Sequence, residues 1–302
     1  MCPKAAPPRA QRSFNDYHAE RDGWVTVLES EFYPDILDKA AVIYDGVIER
    51  FEAIAAESKD SADLLRRISK ESNEEPARLR TRLLQVFRRY VSQTTDHERL
   101  KKIGLLESTI NTFGHAFRDL KLVRQNLKTR SKPDEALMAI LYEYSTRGTK
   151  GYDLTEAFFT WFEARYKGQF TIEGKRRGGR DPFLSDLLEG FPKRIPIDFL
   201  IRRTSDGTPV VVGFARYDST RGGAQADDRT GSNSDKANEI LRFSDAEILN
   251  LKVLFISDGP GLTHKDIWEE SASLEQVGGG RVMVCTLKML DQRLTAEWID
   301  DP

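Results

Sequence analysis

Cysteine is nearly absent from this chain: Cys2 and Cys285 are the whole complement in 302 residues. Two thiols build neither a disulfide framework nor a thiolate metal cluster, so the expected setting is a reducing cytoplasm. The four histidines show no zinc-ligand spacing either. No apolar run approaches the ~18 residues that a membrane span requires. Residues 1–13, MCPKAAPPRAQRS, lack the apolar core of a signal peptide and read as a short disordered leader. No phosphate loop ending in Lys-Ser/Thr is present, and Gly259-Pro260-Gly261 is not a dinucleotide fingerprint, which argues against nucleotide hydrolysis. A serine elbow and a Cys/His pairing are missing too, which argues against acyl transfer. No fixed-period repeat appears, so a solenoid is disfavoured. One-sided charge is also lacking: 31% of residues are charged, yet the formal net is −2, so any basic surface must be local.

What is present divides in two. With 39% hydrophobic residues the chain can fill one large or two ordinary cores. Residues 14–146 read as an all-helical N-terminal domain, because apolar residues recur three and four apart, as in Ile36, Ala40, Ile43, Val47, Phe51 and Ile54. Further helices are expected at 60–71, 75–93 and 96–128, the last carrying Ile103, Leu106, Ile110, Phe113, Phe117, Leu120 and Val123 on one face. The arginines here are interleaved with acids and fit a solvated face. A helix after Lys132-Pro133 leads to the loop 145–153, where the domain boundary falls, and a capping-box-like Asp153/Glu156 pair opens the next helix.

From 151 to 302 the pattern becomes α/β. Strand-like runs stand at 169–174, 195–203, 209–217, 251–257 and 281–287, with helices near 234–249, 263–276 and 288–297. The organising stretch is IPIDFLIRRTSDGTPVVVGFARYD, residues 195–218, a β-hairpin turning at Ser205-Asp206-Gly207. Asp198 lies between Ile197 and Phe199, where a lone carboxylate is costly to ionise unless something positive binds it. A three-residue loop puts Asp198 opposite Phe214 and gathers Phe214, Arg216 and Asp218 on its face; a two-residue turn puts Ala215 and Tyr217 there instead.

Helix, three strands, helix, strand, with Pro196-Ile197-Asp198 on the second strand, resembles the PD-(D/E)xK nuclease core, and within it the type II restriction endonucleases. The resemblance implies an α/β (α+β) mixed sheet behind a helical N-terminal region, and a hydrolase of a restriction system. In the second half of the motif the acid position falls on Phe214 and the lysine position on Arg216. Asp218, Glu163 on the helix beside the expected active site, or more weakly Glu239, are the candidates to replace the missing acid. On this reading Asp198, Asp218 and Glu163 hold one or two Mg²⁺ ions, and Arg216 neutralises the transition-state phosphate. The hard oxygen donors suit magnesium.

Double-stranded DNA is the implied partner, and cutting both strands of a palindrome implies a homodimer. Lys175, Arg176, Arg177 and Arg180, with Lys193-Arg194 and Arg202-Arg203, suit phosphate contacts. In the polar segment 218–240, Arg221, Gln225, Arg229, Asn233 and Lys236 are residue types that read base edges, and Asp227 or Asp228 can accept from a cytosine amine. The alternative reading is a catalytically inactive DNA-binding protein on the same fold, with Phe214 marking lost catalysis. A purely structural helical assembly protein is a third.

Overall fold

The helical periodicity of the first half and the β-branched runs of the second build separate cores in the computed structural model, which describes residues 12–74, 78–146, 148–176, 181–220 and 225–300, the side chains of 225–230 excepted. Two units result, residues 30–147 and residues 1–29 with 148–302. The start of the chain therefore does not belong to the helical domain, as expected from the sequence, but to the α/β unit. Phe14–Glu20 forms a 3-10 helix leading into the one-turn α1 (Arg21–Trp24). Phe14 stacks on Trp268 with ring centroids 4.3 Å apart. The Phe14 N–H donates to Glu275 at 2.8 Å, and Glu275 in turn pairs with the buried Arg293 at 2.7 Å. Apolar burial and a shielded ion pair thus outweigh the local helical pattern that placed this segment elsewhere.

In the helical unit, α2 (Ile36–Glu57) is the central element and buries Ala40, Tyr44, Val47, Ile48, Phe51, Ile54 and Ala55. Around it lie α3 (Ser61–Ile68), α4 (Leu79–Tyr90), α5 (His97–Lys101), α6 (Leu106–Phe113), α7 (Leu120–Thr129) and α8 (Glu135–Thr146). The single helix expected over 96–128 is broken into α5, α6 and α7. Glycines 104 and 114 fall in the 3-10 turns between them, and Asp119 starts α7 by accepting from the Lys121 N–H at 2.7 Å. Ile103 and Phe113 of the expected apolar face are accordingly exposed.

The α/β unit resumes with α9 (Thr149–Arg165), which begins before the Asp153 proposed as its cap. Next come β1 (Phe170–Gly174), the short α10 (Leu184–Leu187), β2 (Phe199–Arg203) and β3 (Pro209–Tyr217). They are followed by α11 (Gln225–Ala246), β4 (Lys252–Asp258), α12 (Lys265–Ser273), β5 (Val282–Cys285), α13 (Leu290–Arg293) and α14 (Ala296–Asp300). The sheet order is β1-β2-β3-β4-β5, antiparallel through β3 and parallel from β3 to β5. Successive strand residues point to opposite faces. Phe199, Ile201, Val211, Leu254 and Ile256 join α9 in one core, whereas Leu200, Val212, Phe214, Val253 and Phe255 join α11, α12 and the N-terminal segment in the other.

The hairpin reaches its expected register by a different turn. Arg203 donates to the Thr208 carbonyl at 2.9 Å, closing a four-residue loop that ends in Gly207 at φ +71°. A bulge between Ile201 and Arg202 then restores Phe199 opposite Gly213, the pairing a three-residue loop alone would give. Phe199 fills the space over Gly213, where a Cβ would meet its ring at 1.8 Å.

Candidate functional site

The hairpin and the parallel strands meet α11 around a cavity of 480 Å³. Asp198, Phe214 and Arg216 come from the hairpin; Phe255 and Ser257 from β4; Ser232, Asn233 and Lys236 from α11. It opens at the carboxyl ends of the parallel strands, where open α/β sheets place their ligands. The polar run after β3, expected as a long recognition segment with its helix starting near 234, is already helical from Gln225. Ala237, Ile240 and Leu241 bury its later turns and aim Asn233 and Lys236 at the same cavity as Asp198.

Asp198 stands one residue before β2 and is half-buried. Its N–H donates to the Gly213 carbonyl at 3.1 Å, and its Oδ2 accepts from the Ala215 N–H at 2.8 Å. Among the described residues Oδ1 accepts no hydrogen bond and no guanidinium bonds this carboxylate. Burial raises its pKa above the ordinary 3.8, the Ala215 hydrogen bond opposes that rise, the Asp181 charge adds to it, and the charges of Lys236 and Lys175 counter it. The carboxylate is thus partly desolvated, with one oxygen unengaged and two lysine charges near enough to act on it.

Its expected partners are arranged differently. Arg216 and Asp218 do share a face, but they satisfy each other: Arg216 Nε donates to Asp218 Oδ1 at 2.8 Å. Arg216 lines the cavity, whereas the Asp218 backbone is held by Asp258 at 2.8 Å and by Gly261 at 2.7 Å. Glu163 lies on α9, whose buried side chains form the core on the opposite face of the sheet from α11, and pairs with Arg176. Glu239 pairs with Lys193 at 2.7 Å. The three carboxylates proposed as a set, Asp198, Asp218 and Glu163, are therefore not brought together. Helix α9 covers the other face, and the guanidinium nearest to Asp218 claims it. Phe214 stacks on Phe255 where the motif's acid is expected.

The basic runs are engaged internally. Lys175 donates to Asp181 at 3.0 Å and to the Tyr152 hydroxyl at 3.3 Å; Arg176 donates to Glu156 at 3.0 Å. Arg202 pairs with Glu173, and Arg203 with Asp206 and Asp300. Arg177, Arg180 and Arg221 lie outside the described residues, as do the side chains of Gln225, Asp227, Asp228 and Arg229. The sequence gives Asp181 only a slight signal, an acid between a Gly-rich basic run and Pro182.

A closed protein cage for an ion is lacking: no group of three or more His, Cys, Asp or Glu side chains able to hold a metal occurs among the described residues. Magnesium asks for less. It is commonly held by one or two carboxylates and completes its shell with water and substrate phosphates. Asp198 is the one carboxylate among the described residues that lines the cavity, while Asp181 is paired with Lys175 at 3.0 Å. Likewise, among the described residues no helix is long and apolar enough to cross a membrane. The sequence matches no protein-family model and no curated protein. The fold itself defines the class: a mixed five-stranded α/β unit with a separate helical unit.

Proposed function

We propose that the α/β unit is a magnesium-dependent endonuclease acting on specific sites in double-stranded DNA, with Asp198 as the carboxylate that holds the metal. The observation that carries this reading is the half-buried Asp198 carboxylate, one oxygen unengaged, facing a cavity whose other charged lining groups among the described residues are Arg216 and Lys236. A phosphodiester is the substrate that such a cluster suits, since it needs a cation between two sets of anionic oxygens and further cations against the rest of its charge. When bound, magnesium supplies an acidified water and takes up charge on the phosphate. Asp198 holds and orients that ion; Lys236 and Arg216 face the phosphate; the Phe214 and Phe255 rings keep water from one wall. The helix-flanked sheet, antiparallel then parallel, supports the same reading.

Plasmid cleavage tests it. Discrete fragments with Mg²⁺, none with EDTA and none from Asp198→Asn are expected; cutting that persists in either control rejects the assignment. A second reading, binding without cleavage, is favoured by the phenylalanine at position 214. Retention of a DNA duplex without cutting at any divalent ion concentration would establish it over the first.

A further inference from the structure

Arg216 lines the Asp198 cavity and the charge of Lys175 reaches that carboxylate, yet both cations are engaged by other acids. Arg216 donates to Asp218 Oδ1 at 2.8 Å, and Lys175 to Asp181 at 3.0 Å. Lys236 is different. Among the described residues it pairs with no carboxylate, and its ammonium rests 5.1 Å from the centre of the Phe214 ring. Ala237, Ile240 and Leu241, the buried residues that follow it on α11, fix the helix, so Lys236 reaches the cavity from a set position.

That difference decides which cation a phosphodiester can recruit at least cost. Turning Arg216 or Lys175 towards a phosphate breaks a hydrogen-bonded ion pair. Lys236 gives up only a ring contact, and its ammonium sits on a flexible four-carbon stem. Its engagement also changes Asp198. Burial raises the pKa of that carboxylate and the Lys236 charge is among those that counter the rise, so the ammonium already acts on it as a counter-ion. A positive charge beside a carboxylate opposes the arrival of a divalent cation there. A phosphate that neutralises the ammonium removes the opposition and brings anionic oxygens of its own.

We propose that Lys236 couples the two ligands of this site: a DNA phosphate takes over the ammonium that balances Asp198, and the divalent ion then binds more tightly, each ligand favouring the other by the same factor. The inference rests on the proposed function, since it takes Asp198 as the carboxylate of the metal. It adds that metal and DNA load together rather than independently.

Binding rather than cutting tests it, on the full chain, with Mn²⁺ as the ion and a kilobase-length duplex with phosphorothioate linkages, which resist cleavage, as the DNA. Filter retention is measured at constant ionic strength with and without Mn²⁺. The ion should tighten retention about tenfold or more in the parent and less than about threefold in Lys236→Gln. Lys236→Arg, which keeps the charge, should respond nearly as the parent does. Calorimetry without DNA should show Lys236→Gln binding Mn²⁺ about threefold or more tightly than the parent, because a neighbouring positive charge is gone. Equal tightening of retention in the parent and Lys236→Gln, or no gain in calorimetric affinity, overturns the coupling and leaves Asp198 as the carboxylate of the metal. If Mn²⁺ binds neither with DNA nor without it, or if Asp198→Asn responds to the ion as the parent does, the metal role of Asp198 fails and the coupling falls with it.

Discussion

Lys236 holds its ammonium 5.1 Å above the centre of the Phe214 ring. That contact joins the two least expected features of the Asp198 cavity: an aromatic side chain where the nuclease motif has an acid, and a lysine supplied by the crossover helix rather than by the strand. A cation over an aromatic face contributes about 0.5–2 kcal/mol depending on its desolvation, enough to keep the ammonium aimed beside Asp198.

Phe214→Glu places an acid where the resembled nuclease motif has one and, on the proposed function, should create a second carboxylate for a divalent ion. Manganese affinity, followed by calorimetry, should rise about tenfold or more, which corresponds to about 1.4 kcal/mol. An unchanged affinity in the folded variant would mean that position 214 does not face the ion.

Asp198 gives a test by stability alone. Its folded pKa is raised by burial, so its contribution to stability is fully present below the ordinary aspartate value of 3.8 and is lost as pH rises through the folded value. Asp198→Asn keeps an acceptor for the Ala215 N–H and removes the charge. At pH 7 it should unfold at a higher urea concentration than the parent, and the difference should disappear below pH 4. A less stable variant at pH 7 would show that the ionised form is already fully compensated within the protein.

Asp258 is fully buried and its carboxylate accepts three backbone N–H groups, from Thr26 at 2.6 Å, Gly259 at 2.7 Å and Leu287 at 2.9 Å. Asp258→Ala strands all three donors and should cost roughly 3–5 kcal/mol in urea unfolding. Asp258→Asn, whose oxygen can still accept from Thr26 and Gly259 while its amide faces the Leu287 N–H, should recover only part of that loss; full recovery would mean that the Leu287 bond carries little of the effect.

His97 titrates in the opposite sense to Asp198. Its pKa falls from 6.5 to about 4 through burial, aided by Lys101 and Arg88 and opposed by Glu98 and Asp96. The unfolded chain therefore takes up the proton first. Stability is full above pH 6.5 and is lost as pH falls towards 4, by about 3 kcal/mol at about 1.4 kcal/mol per pH unit. The urea midpoint of the helical unit should follow that slope in the parent, and His97→Leu should flatten it. Equal slopes in the two proteins would remove His97 as the group responsible.

Much of this architecture is legible in the sequence because period two and period 3.6 are local signals. The five strands fall where β-branched runs place them, and Arg216 and Asp218 share a face as alternation requires. The site was harder to read. Periodicity puts Asp218 on the right face but does not reveal that Arg216, two residues earlier, captures its carboxylate. It puts Glu163 on the helix before the sheet but does not reveal on which side of the sheet that helix lies. Asn233 and Lys236 are residue types that read base edges, yet their meeting with Asp198 depends on where α11 crosses the sheet, which Ala237, Ile240 and Leu241 determine through long-range packing. The N-terminal segment carries no local mark of its destination, since Phe14 and Trp268 are 254 positions apart.

That last separation has a consequence for how the molecule comes into being. The chain leaves the α/β unit after residue 29 and returns to it at 148, so the helical unit is an insertion that can fold while translation continues. The α/β unit cannot. Phe14 must wait for Glu275, and the Arg12 carbonyl for Arg293, which donates to it at 3.0 Å, until residue 293 has left the ribosome. The N-terminal segment is consequently among the last parts of that unit to dock, after strands and helices that lie between it and Arg293 in the chain.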